Sequence, residues 1–230
     1  MKTCLFVPLL AAGLLLSGCN IYYADQATKR GKLAFDAAKE ANSHGDRRSA
    51  DNSYRKAQLE FAEAAAQDPR GTDRHYNLAR ASQALAEYDR AIREYDQALK
   101  IFPGHGKAHS GKIECLVLMK ASQRKIDSAV DTAVSIVPKR ERGRIYLTLA
   151  EAYYRVGRTG QIPPVLAKAV AVAPNDSYIQ ATAGRFYKAL GDFKSASRHL
   201  KRAYQLNPQE ERVAYDLGAL NQGLPPVVGQ

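Results

Sequence analysis

The chain has 230 residues, 45% hydrophobic and 25% charged, enough to bury a sizeable core in one or two domains. Its 34 lysines and arginines outnumber 23 aspartates and glutamates, for a formal net charge of +11. That excess favours acidic partners such as acidic protein segments, anionic lipid or a polyanionic wall. The basic residues are spread along the chain with no recognition-helix or zinc-finger pattern, so no nucleic-acid partner is expected.

The amino terminus reads as an address. Met1-Lys2-Thr3 is positively charged, residues 5–16 form a 12-residue apolar stretch, and Leu16-Ser17-Gly18-Cys19 follows. A helical span of about 30 Å of hydrocarbon takes roughly 20 residues, so residues 1–18 are expected to be a signal peptide. Leu16-Ser17-Gly18-Cys19 resembles the bacterial lipobox. The resemblance implies cleavage before Cys19, a lipid thioether on its thiol, and acylation of the freed amine. Several acyl chains together hold a protein on a bilayer stably where one does not. Asn20, rather than Asp, follows the cysteine. By resemblance to the sorting rule of enteric bacteria, this implies the periplasmic face of the outer membrane. Residues 19–30 are expected to be the lipidated cysteine and a tether. Cys4 lies in the leader, so Cys115 is the one ordinary thiol of the mature chain, and it sits in an apolar run as a small buried hydrophobe.

Beyond the leader the chain repeats. Prolines stand at 69, 103, 138, 174 and 208, spaced by 34, 35, 36 and 34 residues. The second unit places His75, Leu78, Ala79, Ser82, Tyr88, Ala91, Tyr95 and Ala98 before its proline. The fourth places Tyr146, Leu149, Ala150, Tyr153, Gly157, Ile162, Leu166 and Ala169; the fifth, Gln180, Ala183, Gly184, Tyr187, Gly191, Phe193, Ala196, Leu200 and Ala203. Each set follows helical spacing twice, with a glycine turn between the helices in the fourth and fifth units. Small residues fall where two helices cross, and large apolar ones fill the gaps. Period and pattern resemble the tetratricopeptide repeat (TPR) over residues 31–220. The resemblance implies an all-α TPR helix-turn-helix solenoid of about five repeats with a C-terminal capping helix.

Some units depart from the pattern. The third has Ile126 where a small residue is usual. In the first, the opening helix at residues 33–43 reaches Gly45-Asp46 some seven residues early, so residues 47–53 form a longer turn or extra length on the second helix. Pro163-Pro164 requires the second helix of the fourth unit to start there and be short. Residues 210–220 read as the capping helix, and residues 221–230 as a flexible tail.

No catalytic constellation emerges, and neither cofactor nor metal is expected. Gly106-Lys107-Ala108-His109-Ser110-Gly111-Lys112-Ile113 has the spacing of a phosphate-binding loop but lacks the Ser or Thr after the lysine and has no strand before it. His105 and His109 lack a third ligand and read as a solvated loop. The densest basic run, Lys139-Arg140-Glu141-Arg142-Gly143-Arg144, reads as a solvated loop between repeats.

In the family that the repeats resemble, the first helices of successive units line a protein-binding groove. Carried onto this register, the resemblance implies a groove of Tyr76, Asn77, Arg80 and Gln83 from the second unit, and Lys112, with Cys115, Leu118 and Met119, from the third. The fourth unit supplies Arg144, Leu147, Glu151, Tyr154 and Arg155; the fifth, Tyr178, Arg185 and Lys188; the cap, Arg212 and Tyr215. Tyrosine with arginine suits a segment with acidic and apolar side chains. Lipobox and repeats together resemble TadD-type lipoproteins of tight-adherence pilus assembly and PilF-type pilotins. The expected function is therefore a non-enzymatic, membrane-anchored scaffold for assembly of an envelope complex of the pilus or secretion type. The alternative is an adaptor recruiting peptidoglycan enzymes or outer-membrane assembly factors. The oligomeric state is left open.

Overall fold

A computed structural model of the chain describes residues 9–221, and the side chains of residues 20–220. The expected tail lies outside the described residues apart from Asn221, as do residues 1–8 of the expected signal peptide and the side chain of Cys19. The described chain is a succession of helices, in pairs: α1 (Leu9–Ser43) with α2 (Arg47–Gln67), α3 (Thr72–Ala84) with α4 (Tyr88–Ile101), and α5 (Gly106–Leu118) with α6 (Gln123–Ile136). Then come α7 (Lys139–Arg155) with α8 (Ile162–Val172), α9 (Ser177–Ala189) with α10 (Phe193–Leu206), and the single α11 (Glu211–Asn221).

Each pair is closed by the same turn. One residue in each adopts the left-handed conformation: Gly45, Ala86, Lys120, Gly157 and Gly191, with φ between 57° and 79°. The amide following it reaches back five residues, as in Asp46 to the Ala41 carbonyl (3.0 Å), Arg158 to Tyr153 (2.8 Å) and Asp192 to Tyr187 (2.9 Å). The left-handed residue's own amide bonds the carbonyl three residues back. This double bond satisfies carbonyls that a helix end otherwise leaves unpaired and reverses the chain within a few residues. The next helix starts at once, and Asp46 and Asp192 cap it through the amides of Ser49 and Ser195.

The helices of a pair meet through small residues. On α4 the buried positions are Ala91, Tyr95 and Ala98, and on α10 they are Ala196, Leu200 and Ala203. The spacing i, i+4, i+7 puts each trio on one stripe, with the alanines either side of one large side chain. Of the departures from the repeat, the extra residues of the first unit lengthen α2, which runs from Arg47. The proline pair occupies the first turn of α8, an 11-residue helix entered through a 3-10 turn at Thr159–Gln161.

By compactness the chain divides at residue 103 into two units. In the first, α1, α2 and α3 share a core of Ala34, Phe35, Ala57, Phe61, Ala65, Leu78 and Ala81, with Tyr54 edge-on to Phe35 at 5.2 Å. Residues 19–30, expected to carry the lipidated cysteine and the tether, belong to α1. Ala24, Ala27 and Thr28 are buried, Gly31 lies under the Phe61 ring, and the stripe continues through Ala34, Phe35 and Ala38. Arg30 pairs with Glu60 of α2 at 2.7 Å, and Arg74 of α3 pairs with Asp25 and donates to the Thr28 hydroxyl.

In the second unit, Ile113, Ile126, Ile145, Tyr153, Ile162, Leu166, Ile179 and Leu200 are fully buried. Val213, with Leu217 and Leu220 of α11, closes over Leu200 and Ala203. Two loop expectations are corrected. Residues 139–144 are the opening turns of α7, because Pro138 starts the helix directly and Gly143 packs against Ile179 and Ala173. His105 is not solvated loop either: its ring accepts the Ala108 amide as the cap of α5, and His109 is buried on that helix.

The second and fifth repeats hold the same bridge with different chemistry. His75 touches the Pro69 carbonyl (3.1 Å) and the Glu94 carboxylate (2.8 Å). At the equivalent place Gln180 donates to the Pro174 carbonyl (2.8 Å), leaving its amide oxygen for Nδ1 of His199 (2.8 Å). His75 faces an acceptor at both nitrogens, which favours the doubly protonated ring. Its pKa is raised, first by the Glu94 hydrogen bond and against the effect of burial. His199 is lowered, first by burial and then by Arg198.

Two measurements check these points. Ala86 and Lys120 are non-glycine residues at positive φ, a conformation that costs about 1–2 kcal/mol; glycine's greater loss of freedom on folding offsets part of any gain. Ala86→Gly and Lys120→Gly are each expected to raise the unfolding free energy from urea titration by up to about 1 kcal/mol, and Gly157→Ala, where a Cβ would meet nothing within 4 Å, to lower it by about as much. The histidines act with opposite sign. A raised pKa at His75 supplies stability that is complete below the unfolded value near 6.5 and fades as pH rises through the folded one. A lowered pKa at His199 supplies stability that is complete above about 6.5 and fades as pH falls through the folded one. In melts from about pH 5 to 8, His75→Gln should remove a loss of stability on the alkaline side, and His199→Gln one on the acid side.

Candidate functional site

In the second unit the first helices α5, α7 and α9, followed by α11, are joined side to side by long polar and aromatic side chains. Arg155 of α7 pairs with Glu114 of α5. Arg144 at the start of α7 lies 5.6 Å from the Tyr178 ring on α9, and Tyr154 at its end meets Phe186 edge-on at 6.0 Å. Arg185 of α9 pairs with Asp216 of α11 at 2.7 Å and reaches Glu210 at 3.4 Å. The linkage is aromatic and cationic between α7 and α9, and ionic at either end.

Open surface along this face comes from Tyr154 (44% exposed), Tyr178 (52%) and Tyr215 (62%), with Arg144, Glu151 and Arg212 also exposed. Rings held by an edge contact or under a guanidinium present large apolar area with little rotamer freedom left to lose, which suits them as anchors. Arg155 and Arg185 are less available than the sequence suggests. A carboxylate partner would have to displace Glu114 from the one, and Asp216 and Glu210 from the other. Arg144, stacked on a ring, keeps its charge for an incoming group.

Other expected groove residues lie elsewhere. Lys188 is only 6% exposed, Leu147 is buried, and burial pushes the Cys115 thiol up to about 12. They face the core because α5, α7 and α9 each pack on two sides. Lys112 is half-buried on α5. In the first unit, Asn77 is likewise buried at 6% exposure, whereas the Arg80 guanidinium stands 4.4 Å above the Phe35 ring and 5.7 Å from Tyr76. Burial raises the Tyr76 pKa, and the Gln83 amide oxygen accepts the Tyr95 hydroxyl at 2.6 Å. Glu114, Phe186 and Asp216 were not singled out in the sequence. Phe186 lies eight residues beyond Tyr178 on one helix, a spacing that marks it; the two acids carry no such signal.

Among the described residues, no group of three His, Cys, Asp or Glu side chains gathers where it would hold a metal ion, and no helix is long and apolar enough to cross a membrane.

Residues 73–105 and 178–210 each match the tetratricopeptide repeat. No curated protein matches the sequence. Among solved structures, the chain is similar to Pseudomonas aeruginosa PilF, at 16% identity and a TM-score of 0.49, over 87% of this chain and 85% of that one. It is similar to PilW, described as a widely conserved type IV pilus biogenesis factor, at 19% identity and a TM-score of 0.47, over 82% and 86%. It is also similar to a thermophilic TPR protein of Thermus thermophilus, TTC0263, at 15% identity and a TM-score of 0.44, over 84% and 99%. The fold is an all-α TPR solenoid, built from helical hairpins that each unit stacks in turn.

Proposed function

We propose that this chain is a protein-binding scaffold of the bacterial envelope whose first-helix face in the second unit receives an acidic and apolar segment of a partner. The observation that carries this reading is the pair of exposed, braced tyrosines on α7 and α9, Tyr154 and Tyr178, with Arg144 beside them and the exposed Tyr215 on α11. TPR hairpins supply rigid helices from which such side chains project. The lipobox-like Leu16-Ser17-Gly18-Cys19 supports anchoring through Cys19 to the periplasmic face of the outer membrane. The exposed Ile21, Tyr22 and Tyr23 that follow it are side chains suited to a membrane interface. Within that setting the service we assign is assembly of a pilus-type or secretion-type complex.

Two experiments test this. Cys19→Ser is expected to abolish incorporation of labelled palmitate and to release the protein from the outer-membrane fraction; retention of label and fraction would end the anchoring proposal. For the face, the partner is captured by crosslinking in the intact envelope. Tyr154→Ala and Tyr178→Ala are then compared with Arg140→Ala and Arg142→Ala. Truncating an anchor typically costs about 2 kcal/mol or more, so the tyrosine variants should lose the crosslink with helicity unchanged, while the arginine variants keep most of it. The reverse result would move the site to the start of α7.

A further inference from the structure

The second helices of the fourth and fifth repeats differ from the others in charge. α2, α4 and α6 each carry acidic residues, but neither α8 nor α10 contains an aspartate or a glutamate. On α10, Lys194, Arg198, Lys201 and Arg202 fall at i, i+4, i+7 and i+8, which puts them along one side of the helix. All four are exposed. They wall an open groove of about 790 Å³ whose far side is Val170 of α8, and no acidic side chain lines it. The floor is polar and braced. Gln180 and His199 are bonded to each other, Gln180 is fastened to the Pro174 carbonyl, and the His199 ring lies flat on Tyr187 at 5.3 Å. Two of the cations are steadied from the side: Arg202 donates to the Asn175 amide oxygen at 2.6 Å, and Arg198 to the Ser195 hydroxyl at 3.5 Å.

We propose that this groove on the second-helix side is a separate binding site for an extended acidic polypeptide segment of a partner. Charge complementarity commits it to an anion. Four cations in a row over more than two helical turns suit a chain of carboxylates better than one small ion. An extended chain can follow the row of four cations along α10, past Val170 of α8. With Nδ1 held by Gln180, the His199 ring presents Nε2 as an already oriented acceptor for a backbone amide of such a segment. This site does not depend on the tyrosine face, which belongs to α7, α9 and α11.

The test uses the full chain in detergent and a fluorescein-labelled peptide of about ten glutamates, with binding read by anisotropy at about 0.15 M salt. Arg198→Glu combined with Arg202→Glu is expected to weaken binding at least tenfold. Reversal of two exposed cations on α6, Arg124→Glu with Lys125→Glu, should change it less than twofold. Since Arg198 and Arg202 bond their neighbours, a neutral pair, Lys194→Gln with Lys201→Gln, serves beside them and should weaken binding several-fold with unchanged helicity. Absence of peptide binding, or equal loss from the α6 and α10 reversals, overturns the proposal. So does a site that takes inorganic phosphate or phosphatidylglycerol vesicles through the same four residues while ignoring the peptide. Tyr154→Ala is expected to leave peptide affinity unchanged, which separates this site from the tyrosine face.

Discussion

Everything in this fold depends on how closely two helices of a hairpin can approach. Ala91 and Ala98, Ala183 and Ala196, Ala150 and Ala169 have no exposed surface at all. At Gly184 a single added carbon would come 2.7 Å from Leu200 and 3.2 Å from the Ala196 carbonyl. Small side chains let backbones come together, and Tyr95 on α4 and Leu200 on α10, each between two alanines of its stripe, fill the space that remains. The cost of enlarging such a crossing is typically about 1–3 kcal/mol. The same holds between hairpins, where Gly143 lets α7 approach Ile179 of α9 and so brings Arg144 to Tyr178 and Tyr154 to Phe186.

The hairpins were legible because their signals are local and repeated. Proline spacing and small residues at the crossings recur every 34 to 36 residues, and glycine marks three of the five turns. The proline pair at 163–164 located the start of α8 for a reason confined to one residue's backbone. What was misread needed tertiary information. The packing of the segment before residue 31 went unread because the repeat register opened at Leu33, although Ala24, Ala27 and Gly31 mark a helical stripe of small residues. Residues 139–144 looked like a loop because their charges hid Gly143, which is buried against α9. In the third repeat, Lys120 takes the left-handed turn that glycine fills in others, so no residue type announced it.

Of the face residues, Tyr154, Tyr178 and Tyr215 are exposed, but sequence register could not say which arginines are occupied. A family groove position specifies direction from the helix axis, not what stands opposite. Arg155 and Arg185 meet carboxylates from neighbouring helices, and Arg144 meets a ring. The same limit applies to α10, where four cations are plain in the sequence but the absence of acid across the groove depends on α8 lying beside it.

The helical stem adds a constraint of its own. α1 runs from Leu9 to Ser43 and is locked into the first unit from Ala24 onward. An α-helix advances about 1.5 Å per residue while turning about 100°. One residue inserted between Asn20 and Ala24 therefore lengthens the stem by less than the span of a salt bridge, yet swings its amino-terminal end more than a quarter-turn around the axis. Whatever is joined to that end is indexed in azimuth against Asp25, Thr28 and Arg74, so the stem sets a compass bearing more strictly than it sets a distance.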